Sequence, residues 1–383
     1  MKTKTIDHRA FLELLRIGLW GGKGTVQGFD SLDWGEVYQL AQEQSVQGLV
    51  LQGIERLKNH NNNANLNIPQ ILLLQWIGEV QVIEQQNMEM NAFVAELIEK
   101  LRENDADALL VKGQGVAQCY EKPLWRCSGD VDLFLSDCNY EIAKRVLVPL
   151  ASEVETEYVG SKHLGMTIDG WVVELHGSLR VGLPNKINRV LDDIKTDTFY
   201  RGNMRSWMNG RTQVFLLGKE NDIVYVFVHF FNHFYKEGVG LRQLCDWCRL
   251  MWTYRDEIDW KKVESRIKEM GLLSEWKAFA ALAVFYLGLP FTVEGLLLDS
   301  EQELERYRRK ADKIMEFILK AGNMGHNRDM SHFSKYPYLL RKCVSMGRRI
   351  TDLINHARIF PLDSLRFFPR IMWNGVRSAV RGE

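Results

Sequence analysis

The sequence predicts an α+β fold, with a small mixed β-sheet flanked by helical regions on both sides. Three observations predict it. Apolar residues recur at helical spacing over residues 6–104. Short apolar runs and turn signals then occupy residues 106–215. Helical spacing returns from about residue 219. The expected organisation is an N-terminal helical region (1–105), an α/β core (106–215) and a C-terminal helical region with a basic tail (216–383). A chain of 383 residues is too long for one simple core.

The elements follow in order. Residues 11–20 are apolar but interrupted by Glu13 and Arg16 at helical spacing, which predicts an amphipathic helix and excludes a secretion signal. A second helix starts near Ser31–Asp33 and turns Val37, Leu40, Ala41 and Leu49 inward. The Asn-rich stretch 59–67 is a loop. After Pro69 a long helix carries Ile77, Val80, Ile83, Met88, Phe93, Leu97 and Leu101. Residues 108–111 form a buried-type strand that ends at Lys112-Gly113, with a short helix through Ala117 and Tyr120 after it. Residues 131–135 are a second strand and 141–150 a helix. Residues 166–168 and 171–175, joined by Asp169-Gly170, form a hairpin. Helices follow at 223–234, 241–252, 273–287 and 301–319. Gly288 and Pro290 stop the third of these.

Composition excludes some classes of function. Lys plus Arg equals Asp plus Glu at 49 each, so the chain is not a bulk polyanion binder. Six scattered cysteines predict reduced thiols in a cytoplasmic protein. No apolar run is long enough to span a bilayer.

The chemistry concentrates at Asp130 and Asp132. Residues two apart in a strand share a face, so both carboxylates project together. Their repulsion is relieved by a cation, and hard oxygen ligands suit Mg²⁺. On the second hairpin strand, Val172, Glu174 and His176 share one face. Glu174 is a charge in an apolar strand, and burying it unpaired is costly. Either it joins the two aspartates around a metal, or it is solvated on an edge strand. Lys112-Gly113 sits between a strand and a helix, where backbone N–H groups and a lysine can meet phosphate; the alternative is an ordinary glycine turn. Arg126 either orients Asp130 and contacts a triphosphate, or forms a structural salt bridge.

Other signals compete. His229, His233, Cys245 and Cys248 are four zinc-type ligands on paper. The cysteines fall at apolar helix positions, which favours small buried thiols. The aromatics Tyr225, Phe227, Phe230, Phe231, Phe234 and Tyr235 are expected in the core. The tail, 341–383, holds nine Arg or Lys against three acids. A last helix from Pro369 would place Met372, Val376 and Ala379 opposite Arg370, Arg377 and Arg381. Packing against the N-terminal helices is favoured over an anionic membrane surface or nucleic acid.

Taken together, residues 109–113 (Leu-Leu-Val-Lys-Gly), Tyr120, Arg126, the Gly129-Asp-Val-Asp-Leu133 box and Val173-Glu-Leu-His176 resemble the uncharacterised nucleotidyltransferase family of bacteria. That family belongs to the DNA-polymerase-β-like superfamily. The likeness extends over roughly residues 8–255, including Lys162-His163-Leu164 and the helices around His229 and Asp246. It implies Asp130, Asp132 and Glu174 as a metal triad, with two Mg²⁺ ions and a nucleoside triphosphate as substrate. Lys112, Gly113, Arg126, Ser128 and Gly129 are then the expected nucleotide-binding residues. His163, His176, His229, His233 and Arg242 are expected on the substrate side. Where the superfamily has a Gly-Ser turn, this chain has Gly113-Gln114. The implied reaction is nucleotidyl transfer to an unidentified small-molecule or protein acceptor. The alternative is a catalytically degenerate nucleotide-binding module that acts through a partner.

Overall fold

The computed structural model describes residues 6–22, 31–60, 66–158, 162–236, 238–290, 294–323, 338–362, 364–367, 369 and 373. Four helices open the chain: α1 (Ile6–Trp20), α2 (Trp34–Glu43), α3 (Gln47–His60) and α4 (Gln70–Arg102). Asp33 caps α2, its carboxylate accepting from the Gly35 and Glu36 amides. Helices α1 and α3 approach so closely that a Cβ on Gly18 would lie 2.0 Å from the Leu49 carbonyl oxygen, and one on Gly53 2.1 Å from that of Leu14. Of the Asn-rich stretch, residues 61–65 lie outside the described residues.

The α/β part contains β1 (Ala108–Val111), a one-turn helix α5 (Gly113–Ala117), β2 (Asp130–Leu135), α6 (Asp137–Leu147), β3 (Glu153–Val154), β4 (His163–Ile168), β5 (Trp171–His176), α7 (Asn185–Phe199), β6 (Met204–Asn209) and β7 (Thr212–Leu217). The sheet has seven strands in the order β3-β4-β5-β2-β1-β7-β6. It is therefore larger than the small sheet expected. The difference is the hairpin β6–β7, whose β7 pairs parallel to β1, and the short edge strand β3. The sheet is mixed: β2 runs parallel to β5 and antiparallel to β1. The Asp169-Gly170 turn forms as expected, with φ of +50° and +82° and Ile168 opposite Trp171.

The two faces of the sheet bury against different partners. On one, Leu110, Val131, Leu133, Leu135, Val173 and Leu175 pack with the second half of α4 and with Tyr140, Ala143 and Leu147 of α6. On the other, Leu109, Val111 and Phe134 join the large core shared with the C-terminal helices. Those helices are α8 (Lys219–Lys236), α9 (Leu241–Thr253), α10 (Trp260–Met270), α11 (Leu273–Leu287), α12 (Glu301–Ala321) and α13 (Tyr338–Ala357). Gly288 closes α11 with φ +71°. The N-terminal helices enter the same core: Arg16 donates to the Phe285 and Tyr286 carbonyls and Trp20 to that of Leu287.

The aromatics of α8 are core residues, as expected. Phe227, Phe230, Phe231 and Phe234 are fully buried and surround Phe279. The described part of the basic tail packs on α8 and α12. His356 packs at a tilt against Phe234, Tyr235 and Phe317, and Phe367 meets Phe231 and Tyr235 edge to face. Most of the expected last helix, including Arg370, Met372, Val376, Arg377, Ala379 and Arg381, lies outside the described residues. No helix among the described residues is long and apolar enough to cross a membrane.

Candidate functional site

Strand register brings the acidic residues together. Parallel β2 and β5 pair Asp132 directly with Glu174, and Asp130 with Val172. Period-two alternation then puts Asp130, Asp132, Glu174 and His176 on one face of adjacent strands. One ligand oxygen from each of Asp130, Asp132 and Glu174 lies within 4.8 Å of the others. The antiparallel partner β4 sets His163 opposite His176, so both imidazoles join the patch.

Lys112 reaches the same point from the other side. Its backbone has φ +58°, a region costly for a residue with a Cβ, and Gly113 follows at φ +37°. This turn at the end of β1 folds the lysine back onto the sheet face, where Nζ lies 2.7 Å from Asp132 Oδ1. The same oxygen accepts from His176 Nε2 at 2.7 Å. Asp132 is 1% exposed, and its second oxygen, Oδ2, is buried with no hydrogen-bond partner. Glu174 Oε2 lies 3.2 Å from His163 Nε2 and 3.3 Å from His176 Nε2.

The electrostatics follow from this crowding. The charge of Asp132, then burial, push the Asp130 carboxyl up, against the pull of Lys112 and Arg242. Burial alone would raise Glu174, but hydrogen bonds from His163 and His176 and the charge of Lys112 hold it well below the usual carboxylate range. Burial disfavours charged Lys112, yet Asp132, Asp130 and Glu174 outweigh it and raise its pKa. Burial likewise opposes His176, and its bonds to Asp132 and Glu174 win and raise it.

Helix α8 roofs the patch. Burial, Lys112, His233 and His176 together push His229 well below its ordinary value, so it is neutral at pH 7. His229 and His233 face each other, Nε2 to Nε2, at 3.1 Å. Tyr225, one turn before His229, is within electrostatic reach of Lys112, Asp132 and Glu174. The sequence assigned Tyr225 to the core alone. Its i, i+4 relation to His229 is the signal that marks it for this face.

Other sequence-named residues are placed differently. Arg126 does not serve the carboxylates. Its guanidinium grips Asp246 of α9 through two bonds of 2.7 and 2.8 Å, and the Tyr120 hydroxyl adds a third at 2.7 Å. The salt-bridge alternative is the one found. Arg242 is the arginine that acts on Asp130. It donates to the Cys127 carbonyl at 2.7 Å, and its Nε is buried without a partner.

Gln114 points away from the acids. Its amide donates to Asn87 of α4 at 2.7 Å and to the Ser128 hydroxyl at 3.0 Å. Asn87 in turn donates to the Leu124 and Arg126 carbonyls. Ser128 and Gln114 thus anchor the segment that delivers Gly129 and Asp130. Helix α5 is only five residues long. It adds little dipole, and whatever phosphate affinity the turn has rests on Lys112 and the amides near Gly113.

Cys245 and Cys248 are fully buried in α9, where burial raises both thiols. Among the described residues, the His, Cys, Asp and Glu groups able to share an ion are Asp130–Asp132–Glu174 and His163–Glu174–His176. Neither includes a cysteine.

The donor set fits a divalent cation. Three carboxylates gather beside one lysine, and a buried aspartate oxygen has no hydrogen-bond partner. The fold and this patch define a mixed-sheet protein with an acidic site whose ligand atoms could hold a metal ion. The profile of the family described as uncharacterised nucleotidyltransferase matches residues 30–288, more than half of the chain, and the chain belongs to that family. Comparison with curated proteins and with solved structures found no match.

Proposed function

We propose that the protein is a Mg²⁺-dependent nucleotidyltransferase that moves a nucleoside monophosphate from a nucleoside triphosphate to an acceptor hydroxyl or phosphate. The observation that carries this reading is the convergence of Asp130, Asp132 and Glu174, with the orphaned Asp132 oxygen at its centre. Family membership supports it, and placement in the polymerase-β-like superfamily belongs to the same proposal. So does a cytoplasmic setting, suggested by the unpaired thiols at Cys119, Cys127, Cys138, Cys245 and Cys248.

In this reading Asp130, Asp132 and Glu174 hold the metal. Bound Mg²⁺ supplies charge neutralisation at the triphosphate and lowers the pKa of an acceptor hydroxyl. An acceptor oxygen attacks the α-phosphorus, the bond to the β-phosphate bridging oxygen breaks, and pyrophosphate leaves with that electron pair. Glu174 or the neutral His229 receives the acceptor proton. Lys112 leaves Asp132 and pairs with a phosphate as a point charge. Arg242 stands beside Asp130 and adds positive charge on the acceptor or phosphate side. The chain's contribution is chiefly positioning and electrostatics.

A second reading has one observation in its favour. The Lys112 ammonium already neutralises Asp132, and Gln114 has left the phosphate turn for Asn87. A nucleotide-binding module without turnover fits both. Titration of nucleoside triphosphates with and without Mg²⁺, followed by pyrophosphate release with candidate acceptors, separates the two. Metal-dependent binding without any release supports the module. Binding unchanged by Asp130→Asn with Asp132→Asn sinks the site assignment itself.

A further inference from the structure

We propose that the protein carries a second divalent-cation position, formed by His163, Glu174 and His176, that prefers a cation of the manganese, cobalt or zinc kind over magnesium. The proposal rests on the reading above in one respect: Glu174 serves both positions.

The backbone builds this position. His163 and His176 are cross-strand partners on β4 and β5. Glu174 precedes His176 by two residues and shares its face. All three side chains therefore rise from one patch with no contribution from a loop. Both imidazole Nε2 atoms converge on a single oxygen, Glu174 Oε2, at 3.2 and 3.3 Å. Ligands held about 2.0–2.2 Å from a shared ion stand roughly 3.0–3.4 Å apart. Each histidine thus stands at ligand spacing from Glu174, and one donor atom from each of the three residues lies within 4.8 Å of the others.

The buried oxygen that marks the carboxylate position lies beside this one as well. Asp132 adjoins the cluster, its Oδ1 2.7 Å from His176 Nε2. Its Oδ2 is buried without a partner in a residue that is 1% exposed. A buried carboxylate oxygen left unpaired is costly, and a cation beside His176 relieves that cost. Entry is open, because the His163 side chain keeps about a quarter of its surface in solvent.

The donors set the preference. Imidazole nitrogens suit the borderline first-row cations, whereas Mg²⁺ favours oxygen ligands and retained water. The protein then offers two unlike seats: an all-carboxylate one at Asp130, Asp132 and Glu174, and a mixed nitrogen–oxygen one at His163, Glu174 and His176. The second ion of a two-ion site would sit on the histidines.

The test uses metal-stripped, full-length protein and Mn²⁺ alone. Pulsed electron paramagnetic resonance reads ¹⁴N coupling to the bound ion, and calorimetry reads stoichiometry. The expected result is ¹⁴N modulation in the wild type that persists in tenfold excess Mg²⁺. It should disappear in His163→Ala with His176→Ala, together with one class of sites. Asp130→Asn should keep the ¹⁴N signal while losing Mg²⁺-dependent nucleotide binding, so failure of the carboxylate reading and failure of this one give different patterns. His163→Gln alone, at the more exposed imidazole, should weaken Mn²⁺ binding at this position by about tenfold or more without lowering the melting temperature of the metal-free protein. No ¹⁴N modulation in the wild type, modulation that survives removal of both histidines, or full displacement by Mg²⁺ would each overturn the proposal, leaving the histidines as hydrogen-bond partners of the carboxylates.

Discussion

Two buried charge clusters lie a few residues apart in this chain, and they are built on opposite principles. Arg126 and Asp246 form a closed pair. Two bonds join them, Tyr120 completes the set, and one charge meets one charge. Asp130, Asp132 and Glu174 form an open set in which three acids face Lys112 and an aspartate oxygen is left over. The first joins the segment before β2 to α9 and is complete as it stands. The second pairs its acids with Lys112, His163 and His176 and still leaves one buried oxygen, Asp132 Oδ2, without a partner. A buried cluster that satisfies itself reads as architecture, and one that does not reads as a site awaiting a cation.

The contrast can be broken most directly at the aspartates. Asp130→Asn with Asp132→Asn should weaken Mg²⁺-dependent nucleotide binding by at least about 100-fold, the upper end of what loss of a mere supporting residue costs a metal site. Calorimetry checks this, and thermal melts of the metal-free variant should show a loss of stability, because Asp132→Asn removes the charge that buried Lys112 and His176 pair with. At the closed pair the effects should fall on folding. Arg126→Met should cost about 3–5 kcal/mol in denaturant unfolding by stranding Asp246. Arg126→Met with Asp246→Leu should recover much of that loss. A cost near zero for the single variant would remove the distinction between the clusters.

Lys112 offers a finer test, because it occupies the place a cation would take. Lys112→Met should tighten binding of a divalent ion alone by about tenfold, or 1.4 kcal/mol, and weaken nucleotide binding. Equal weakening of both would mean that the lysine supports the metal and does not compete with it.

Acid titration exposes two carboxyls of opposite sign. Asp197 is buried among Lys262, Asn203, Asn221 and Arg266. Burial raises its carboxyl, but these partners outweigh it and hold the group below the ordinary range. Its stabilisation is therefore present above the unfolded-state value near 3.9 and fades as pH falls from there through the lowered folded-state value. The Asp130 carboxyl is raised by Asp132 and burial. It costs stability at neutral pH, and protonation relieves that cost as pH falls through its folded value toward 4. In metal-free protein, Asp130→Asn should thus be more stable than wild type at pH 7, with the advantage gone below pH 4. Asp197→Asn should be less stable at pH 7, with the deficit shrinking in acid. The smallest effect is expected at Cys245→Ala: about 1 kcal/mol of stability and no change in bound zinc by elemental analysis.

Much of this was legible in the sequence, for local reasons. The run 108–111 is apolar at every position, and all four residues are buried. Asp169-Gly170 specifies its hairpin by turn chemistry. Asp130, Asp132 and Glu174 stand out because charges are rare in apolar strands. What escaped was set by distance or by disguise. Arg126 and Asp246 are 120 positions apart, and nothing near either names the other. Lys112 reads as a phosphate ligand until its positive φ turns it onto Asp132. The hairpin β6–β7 was missed because Met204–Asn209 mixes polar and apolar residues without a clear alternation. Its Asn209-Gly210 pair, with Gly210 at φ +62°, was the available signal. Tyr225 was hidden by the aromatic density around it.

The parallel pairing of β2 with β5 has a consequence in time. Asp132 and Glu174 become neighbours only after the chain has passed through α6, β3 and β4 and returned. No shorter fragment can assemble the acidic patch, because its two halves belong to a long-range pairing that forms late relative to local helices. Cation affinity is therefore a clock for this protein. During refolding it should arrive after the helical signal, and with the pairing of β2 to β5.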